Sequence, residues 1–371
     1  MMHIPQSDIL TTNRLGNIFS NTTATYKFFW FVSIMQMHAK LEKHRISVWD
    51  IVTRMVANAW YPIHYFRLSF GKSDSLYEIV KKLQDITQIP IDANIETIVD
   101  VLASKLNDRQ VRGLLNTLTI NVPFRFLSPW IRYTSDDEVI KRSQQLENNC
   151  LYSIIKKRCE FYIELNPKWD DYLYRHYNIL VDFAYWNLTQ FLQIRNPNVP
   201  AISNKLIRPD VRNSLAKQHD YWDMVMDIGG PIHCIYTDEL LYPQDYDLDH
   251  FIPWSFVSHD LLWNLIPSDG NINSSKNNKL PALELYLPKL VEIQHSALQT
   301  VVRANKSPKV LEDYVSLGYT AKELADMDSE RFREVYERTF NPINQIALNM
   351  GFEAWEYKSA TRDRSVTSIE G

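Results

Sequence analysis

Cysteine and glycine are both scarce in this chain of 371 residues. Its three cysteines, Cys150, Cys159 and Cys234, form no C-x-x-C pair. So sparse and odd a set excludes a disulfide framework and cannot build a four-cysteine structural zinc site. All three are expected to be buried thiols acting as small hydrophobes. Nine glycines stand against 16 Phe, 20 Tyr and 10 Trp. That balance excludes a disordered chain, in which aromatics are rare, and favours a rigid, largely helical globular protein. Long apolar runs are missing too. The most apolar early segment, Phe28 to Met37, is interrupted by Ser33 and Gln36 and is too short to span a bilayer. Met1 to Arg14 lacks the charged-then-apolar pattern of a signal peptide, so a cytoplasmic protein without membrane attachment is expected. No repeat of fixed period is present.

The net charge is −4, an unpromising total for a chain that meets nucleic acid, but its distribution is uneven. Between Pro231 and Glu284 lie eight acidic side chains and two lysines, a local charge of −6. An acidic segment of this kind suits a site that holds a divalent cation before an anionic substrate arrives. Affinity for a polyanion must then come from elsewhere in the chain or from a partner.

Helical patterns dominate. Asn21 to His44 and Ser47 to His64 read as helices with broad apolar faces, the stripe from Tyr26 to Phe31 being core packing. Ser75-Leu76-Tyr77-Glu78 and Thr320-Ala321-Lys322-Glu323 fit capping boxes. Ile95 to Leu106, Asp108 to Thr119 and a periodic stretch from Asp136 to Leu165 continue the series. Asn166-Pro167 opens a further helix expected to run to about Ile194. Asn196-Pro197-Asn198-Val199-Pro200 punctuates the chain, and a helix from Val211 to Ile228 ends on Gly229-Gly230. The texture then turns β-like, at Pro231 to Tyr236 and again into Asp247 to Pro253, before helices return after Asn273 and run to about Trp355. The tail from Lys358 is polar and expected to fray. The expectation is a mainly α protein: a helical domain over 1–195, a ββα unit within 196–285 and C-terminal helices over 286–371.

One stretch holds the kit for phosphodiester hydrolysis. That reaction needs a base that exchanges a proton near neutral pH, oxygen donors for a hard metal, and a group that orients the base. Asp249, His250, Asn264, Asn273 and Lys276 supply these types within a short span. Successive strand residues face opposite ways, so Asp249 and His250 reach one site only if the strand ends or twists there; Pro253 fits such an end.

The string Asp247-Leu248-Asp249-His250-Phe251-Ile252-Pro253-Trp254-Ser255-Phe256, followed by Asn264-Leu265, Asn273 and Lys276, resembles the HNH (ββα-metal) endonuclease motif. It is especially similar to the HNH domain of RNA-guided CRISPR effector nucleases, in a chain with no RuvC-like motif or arginine-rich bridge helix. The resemblance implies His250 as general base and Asp249 and Asn273 as ligands of Mg²⁺ or Mn²⁺, with Asp247 supplying or supporting a further ligand. It makes Asn264 the residue that fixes the loop and positions the base, and gives Lys276 a phosphate contact. Arg208, Arg212 and Lys279 are candidates for tracking a nucleic-acid backbone, as are Lys205 and Lys217. His233 and His259 are expected to be structural, and Trp254 and Trp263 to be core. The implied substrate is DNA, with RNA left open. A homodimer or a partner subunit of a defence complex would fit an anti-phage or restriction role, by analogy alone.

Overall fold

The computed structural model describes residues 4–41, 44–158, 160–209 and 212–358. Cys159, Val211 and the tail beyond Lys358, about which expectations were stated, lie outside them. The protein is mainly α, 58% helical with a few short strands. Among the described residues no helix is long and apolar enough to cross a membrane. The chain divides into two compact units, Met1–Asp210 and Val211–Gly371.

The N-terminal unit is built on two apolar helices, Tyr26–Leu41 and Val48–His64. Phe28, Phe29, Trp30 and Phe31 are buried, as a helix apolar nearly all round requires. Several polar residues inside this core are paired. Gln36 and Asn58 exchange reciprocal amide hydrogen bonds of 3.0 Å, and Asn58 also donates to Ser33. Buried Arg54 makes a two-pronged contact with Glu96 at 2.8 and 3.0 Å. Unpaired, each of the two amides would cost about 1–3 kcal/mol, and the charged guanidinium more.

Several elements differ from what the sequence pattern suggests. The helix at Ser75 is capped by Asp74, whose carboxylate accepts from Leu76 N, so Ser75 is the first helical residue and not the cap. The stretch from Asp136 to Leu165 is helical only to Ser143. It then forms a hairpin, β2 (Tyr152–Lys157) and β3 (Glu160–Leu165), joined on its far side by β1 (Arg45–Ser47) in the order β1-β3-β2. The Asn166-Pro167 start is as read, with Asn166 accepting from Lys168 N. The helix behind it breaks at His176 into Pro167–Arg175 and Tyr177–Arg195.

In the C-terminal unit the helix Ala216–Gly229 ends on Gly230, whose φ of 92° suits glycine. The first β-like run forms β4 (Ile232–His233), which pairs with β5 (Leu240–Leu241) in a small ribbon of its own. The two strands of the ββα unit are instead β6 (Asp247–His250) and β7 (Leu265–Ser268), antiparallel with Asp249 opposite Ile266 and His250 opposite Leu265. The helix that completes the unit, Gly270–Lys276, starts before Asn273 and contains it. The chain beyond it holds the helices Leu283–Arg303 and Ser329–Asn349 and ends in β9 (Ala354–Trp355), which pairs in parallel with β8 (Leu280–Pro281). One core runs through all of this: Phe251 and Trp263 pack edge-on to Phe340, and Phe256 packs on Phe352.

Candidate active site

β6 ends at His250, the residue where the chain must turn for two successive side chains to serve one site. The turn is held by Asn264. Fully buried, its carboxamide oxygen accepts from Ile252 N and its NH₂ donates to Ile252 O, both at 2.9 Å. The carbonyl of Asn264 in turn accepts from Phe251 N at 2.8 Å. A carboxamide carries its donor and its acceptor side by side on one rigid plane, as a peptide group does, so asparagine closes this loop like a further rung of sheet. Two groups from the C-terminal helices brace the same loop: Gln294 donates to the carbonyls of Leu262 and Leu265, and Asp313 accepts from Leu262 N at 2.9 Å.

Asp249, His250 and Asn273 line one cleft of about 450 Å³, together with Arg212, Pro253, Trp254 and Asn277. His250 is held through Nε2, 2.9 Å from Asp260 Oδ1. A carboxylate only accepts, so this contact makes Nε2 the protonated nitrogen and leaves the lone pair of the neutral ring on Nδ1. Asp260 escaped the reading of the sequence. It sits in a polar Ser258-His259-Asp260 turn, and ten residues from His250 nothing local marks it as a partner.

Asp249 is almost completely buried and its two oxygens are engaged separately. Oδ1 accepts from Lys276 Nζ at 2.9 Å and Oδ2 from the Tyr236 hydroxyl at 2.6 Å. Lys276 also donates to the His250 carbonyl at 2.7 Å. Burial pushes the Lys276 ammonium down, and the facing carboxylate pulls it back up. Burial, then the negative charge of Asp249, pushes the Tyr236 phenol well above its ordinary range. A phosphate contact by Lys276 does not fit this arrangement, because the ammonium has no solvent exposure and faces Asp249. Tyr236, like Asp260, was not singled out in the sequence.

Asp247 and Asn273 lie on the solvent side, with Asn273 Nδ2 3.4 Å from Asp247 Oδ2. Asp269 caps the helix that carries Asn273, accepting from the backbone nitrogens of Asn271 and Ile272. Gly270 follows directly, and the absence of a side chain matters: a Cβ there would stand 3.1 Å from Asp247 Oδ2. The donors around the cleft, two carboxylates and a carboxamide, are the oxygen set that a hard divalent ion takes. Asp249 retains lone pairs beyond the two already used.

The basic candidates separate. Arg212 lies at the cleft, its guanidinium 4.6 Å from the Trp254 ring, and Trp254 is half-buried at that rim instead of in the core. Trp263 is core. Lys279 is half-buried beside the site helix, and Arg208 is exposed in the other unit. Lys205 is buried in that unit, its ammonium 2.6 Å from the Pro200 carbonyl and pushed down to about 7 by desolvation, so it cannot track a backbone. His233 bonds the Asp238 carbonyl and His259 packs on Trp263, both outside the constellation. The buried Cys150 and Cys234 are free thiols.

No curated protein and no solved structure matches the chain. Residues 234–282 match a family model described as HNH endonuclease, a match that does not extend to the narrower likeness to RNA-guided effectors. The matched span holds Tyr236, both strands of the ββα unit, Asp260 and the helix bearing Asn273 and Lys276. The segment from 234 to 282 is an HNH-family domain, set in a mainly helical chain.

Proposed function

We propose that this protein is a divalent-metal-dependent endonuclease that hydrolyses phosphodiester bonds in DNA. The observation that carries the reading is the convergence on one cleft of Asp249, Asn273 and a histidine oriented by a carboxylate, inside the segment that matches the HNH family. His250 takes the proton of the attacking water at Nδ1, while Asp260 holds the ring and stabilises the imidazolium that forms. Asp249 and Asn273 are the ligands of Mg²⁺ or Mn²⁺, with Asp247 supporting them. When bound, that ion neutralises charge building on the phosphate and the leaving oxygen. Lys276 acts on Asp249: it balances the buried carboxylate and fixes its direction. Arg212, at the cleft rim, is placed to meet a phosphate.

Cleavage of supercoiled plasmid, with Mg²⁺, Mn²⁺ or EDTA, tests this. The expected result is nicking by wild type with either metal, none with EDTA, and a loss of at least about 100-fold in His250→Ala. Nicking unchanged in that variant would remove His250 from the chemistry, and cleavage confined to RNA would replace the substrate.

A second reading makes the chain the nuclease subunit of a larger assembly. The acidic nuclease segment favours it, because a surface of net −6 contributes little duplex affinity of its own. Efficient cutting by a monodisperse single chain would count against it.

A further inference from the structure

The N-terminal unit brings together three side chains that the nuclease chemistry does not use. His38 lies near the end of helix Tyr26–Leu41, His44 immediately precedes β1, and Asp170 stands in the first turn of helix Pro167–Arg175. One ligand atom from each falls within 4.8 Å of the others. Asp170 Oδ1 is the hub, 3.1 Å from His38 Nε2 and 3.5 Å from His44 Nδ1. We propose that His38, His44 and Asp170 form a second metal site, for a transition ion of the Zn²⁺ type, which clamps these three elements together.

Three observations support it. First, the separations are those of ligands around a small ion: bonds of about 2.0–2.1 Å at tetrahedral angles set neighbouring donor atoms about 3.3 Å apart. Both contacts to Asp170 bracket that value. Secondly, His38 is 95% buried, yet neither of its ring nitrogens has a hydrogen-bond partner among the described residues; Nε2 is close to Asp170 but not aligned for a hydrogen bond. A buried imidazole that leaves both nitrogens unmatched costs stability, and an ion at Nε2 removes half of that cost. Thirdly, the frame is built. The His44 carbonyl accepts from Leu165 N at 2.8 Å, tying its backbone to the end of β3, and the two imidazole rings meet edge to face at 5.6 Å.

The donor chemistry selects the ion. Two imidazoles and one carboxylate suit zinc and its neighbours, whereas the all-oxygen nuclease cleft suits magnesium or manganese. Scarcity of cysteine rules out a four-cysteine zinc site but leaves this kind open. Asp170 and His44 are 45% and 62% exposed, so the ion enters from solvent and a fourth position is left for water.

The test uses the full chain, stripped with chelator, in excess Mg²⁺ and titrated with Co²⁺ while its visible d–d absorption is followed. The expected result is one equivalent bound and displaced by Zn²⁺. His44→Ala and Asp170→Asn, both at exposed positions that folding should tolerate, would bind more than about 100-fold more weakly, since even indirect partners of a ligand are worth 10–100-fold. Asp249→Asn would bind as wild type. Zn²⁺ would also raise the melting temperature of wild type but of neither His44→Ala nor Asp170→Asn. Absence of stoichiometric binding would reduce the cluster to an ordinary His–Asp ion pair and overturn the proposal. So would binding that survives both substitutions, or that disappears only in Asp249→Asn.

Discussion

Asp260 Oδ1 lies 2.9 Å from His250 Nε2, with the carboxylate 20% and the imidazole 13% exposed. The contact selects the tautomer whose Nδ1 is basic. In Asp260→Asn the amide NH₂ can donate to Nε2 and stabilise the opposite tautomer, so kcat should fall by at least about 100-fold with KM for DNA little changed. A parallel rise in KM, or no fall in kcat, would mean that the residue only packs the loop.

Lys276 and Asp249 are a buried pair, at 0% and 3% exposure. Lys276→Met leaves a buried carboxylate supported, among the described residues, by Tyr236 alone and should cost about 3–5 kcal/mol in urea unfolding of the C-terminal unit. Adding Asp249→Asn removes the stranded charge. The double variant is therefore expected to be more stable than Lys276→Met itself, and strict additivity would show that the two groups are not coupled.

Gly270→Ala probes the metal side without touching a ligand. The new methyl would meet Asp247 Oδ2 at 3.1 Å, close enough to push the carboxylate by a few tenths of an ångström. Helix propensity favours alanine here, so stability should hold or rise. The Mg²⁺ concentration for half-maximal nicking should increase, while the rate at saturating metal stays near that of wild type. An unchanged metal requirement would take Asp247 out of the ion's surroundings.

His64, in the N-terminal unit, gives a pH dependence. Burial lowers its pKa from 6.5 to about 4, with the Val80 backbone opposing and the Lys81 charge adding to the effect. Between those values the unfolded chain binds a proton that the folded chain refuses, so stability rises with pH across the window. It is fully present above about pH 6.5 and lost as pH falls through about 4, by up to about 3 kcal/mol. Urea melts of wild type and His64→Leu between pH 7 and 4 should show the larger loss of stability in wild type; equal slopes would mean that His64 does not titrate as a buried group.

How far the sequence revealed this structure depended on where each partner lies. Asn264 could be found because the HNH resemblance marks it, 14 residues after His250, and the loop it closes lies within that same motif. Asp260 and Tyr236 could not, because an aspartate in a polar turn and a tyrosine in an apolar run acquire meaning only once β6 brings His250 and Asp249 beside them. The β2–β3 hairpin was hidden for a related reason. Its turn passes through Arg158 at a φ of 53° without a glycine, asparagine or proline to announce it. Its central strand partner β1 also lies more than a hundred residues away. In the nuclease segment both β-like runs were visible, but pairing is a tertiary choice, and β6 takes β7 while β4 turns to β5.

The parallel pairing of β8 with β9 has a bearing on how such a protein is inherited and engineered. Leu280 N donates to the Glu353 carbonyl and Ala282 N to that of Trp355, each at 2.8 Å, so the last rung below the site helix is supplied from seventy residues downstream. With Phe340 and Phe352 also wedged beneath Phe251 and Phe256, the nuclease segment is not a cassette. Excised at its family boundaries it would lose its floor, and transplanted into another scaffold it would have to bring its C-terminal helices along.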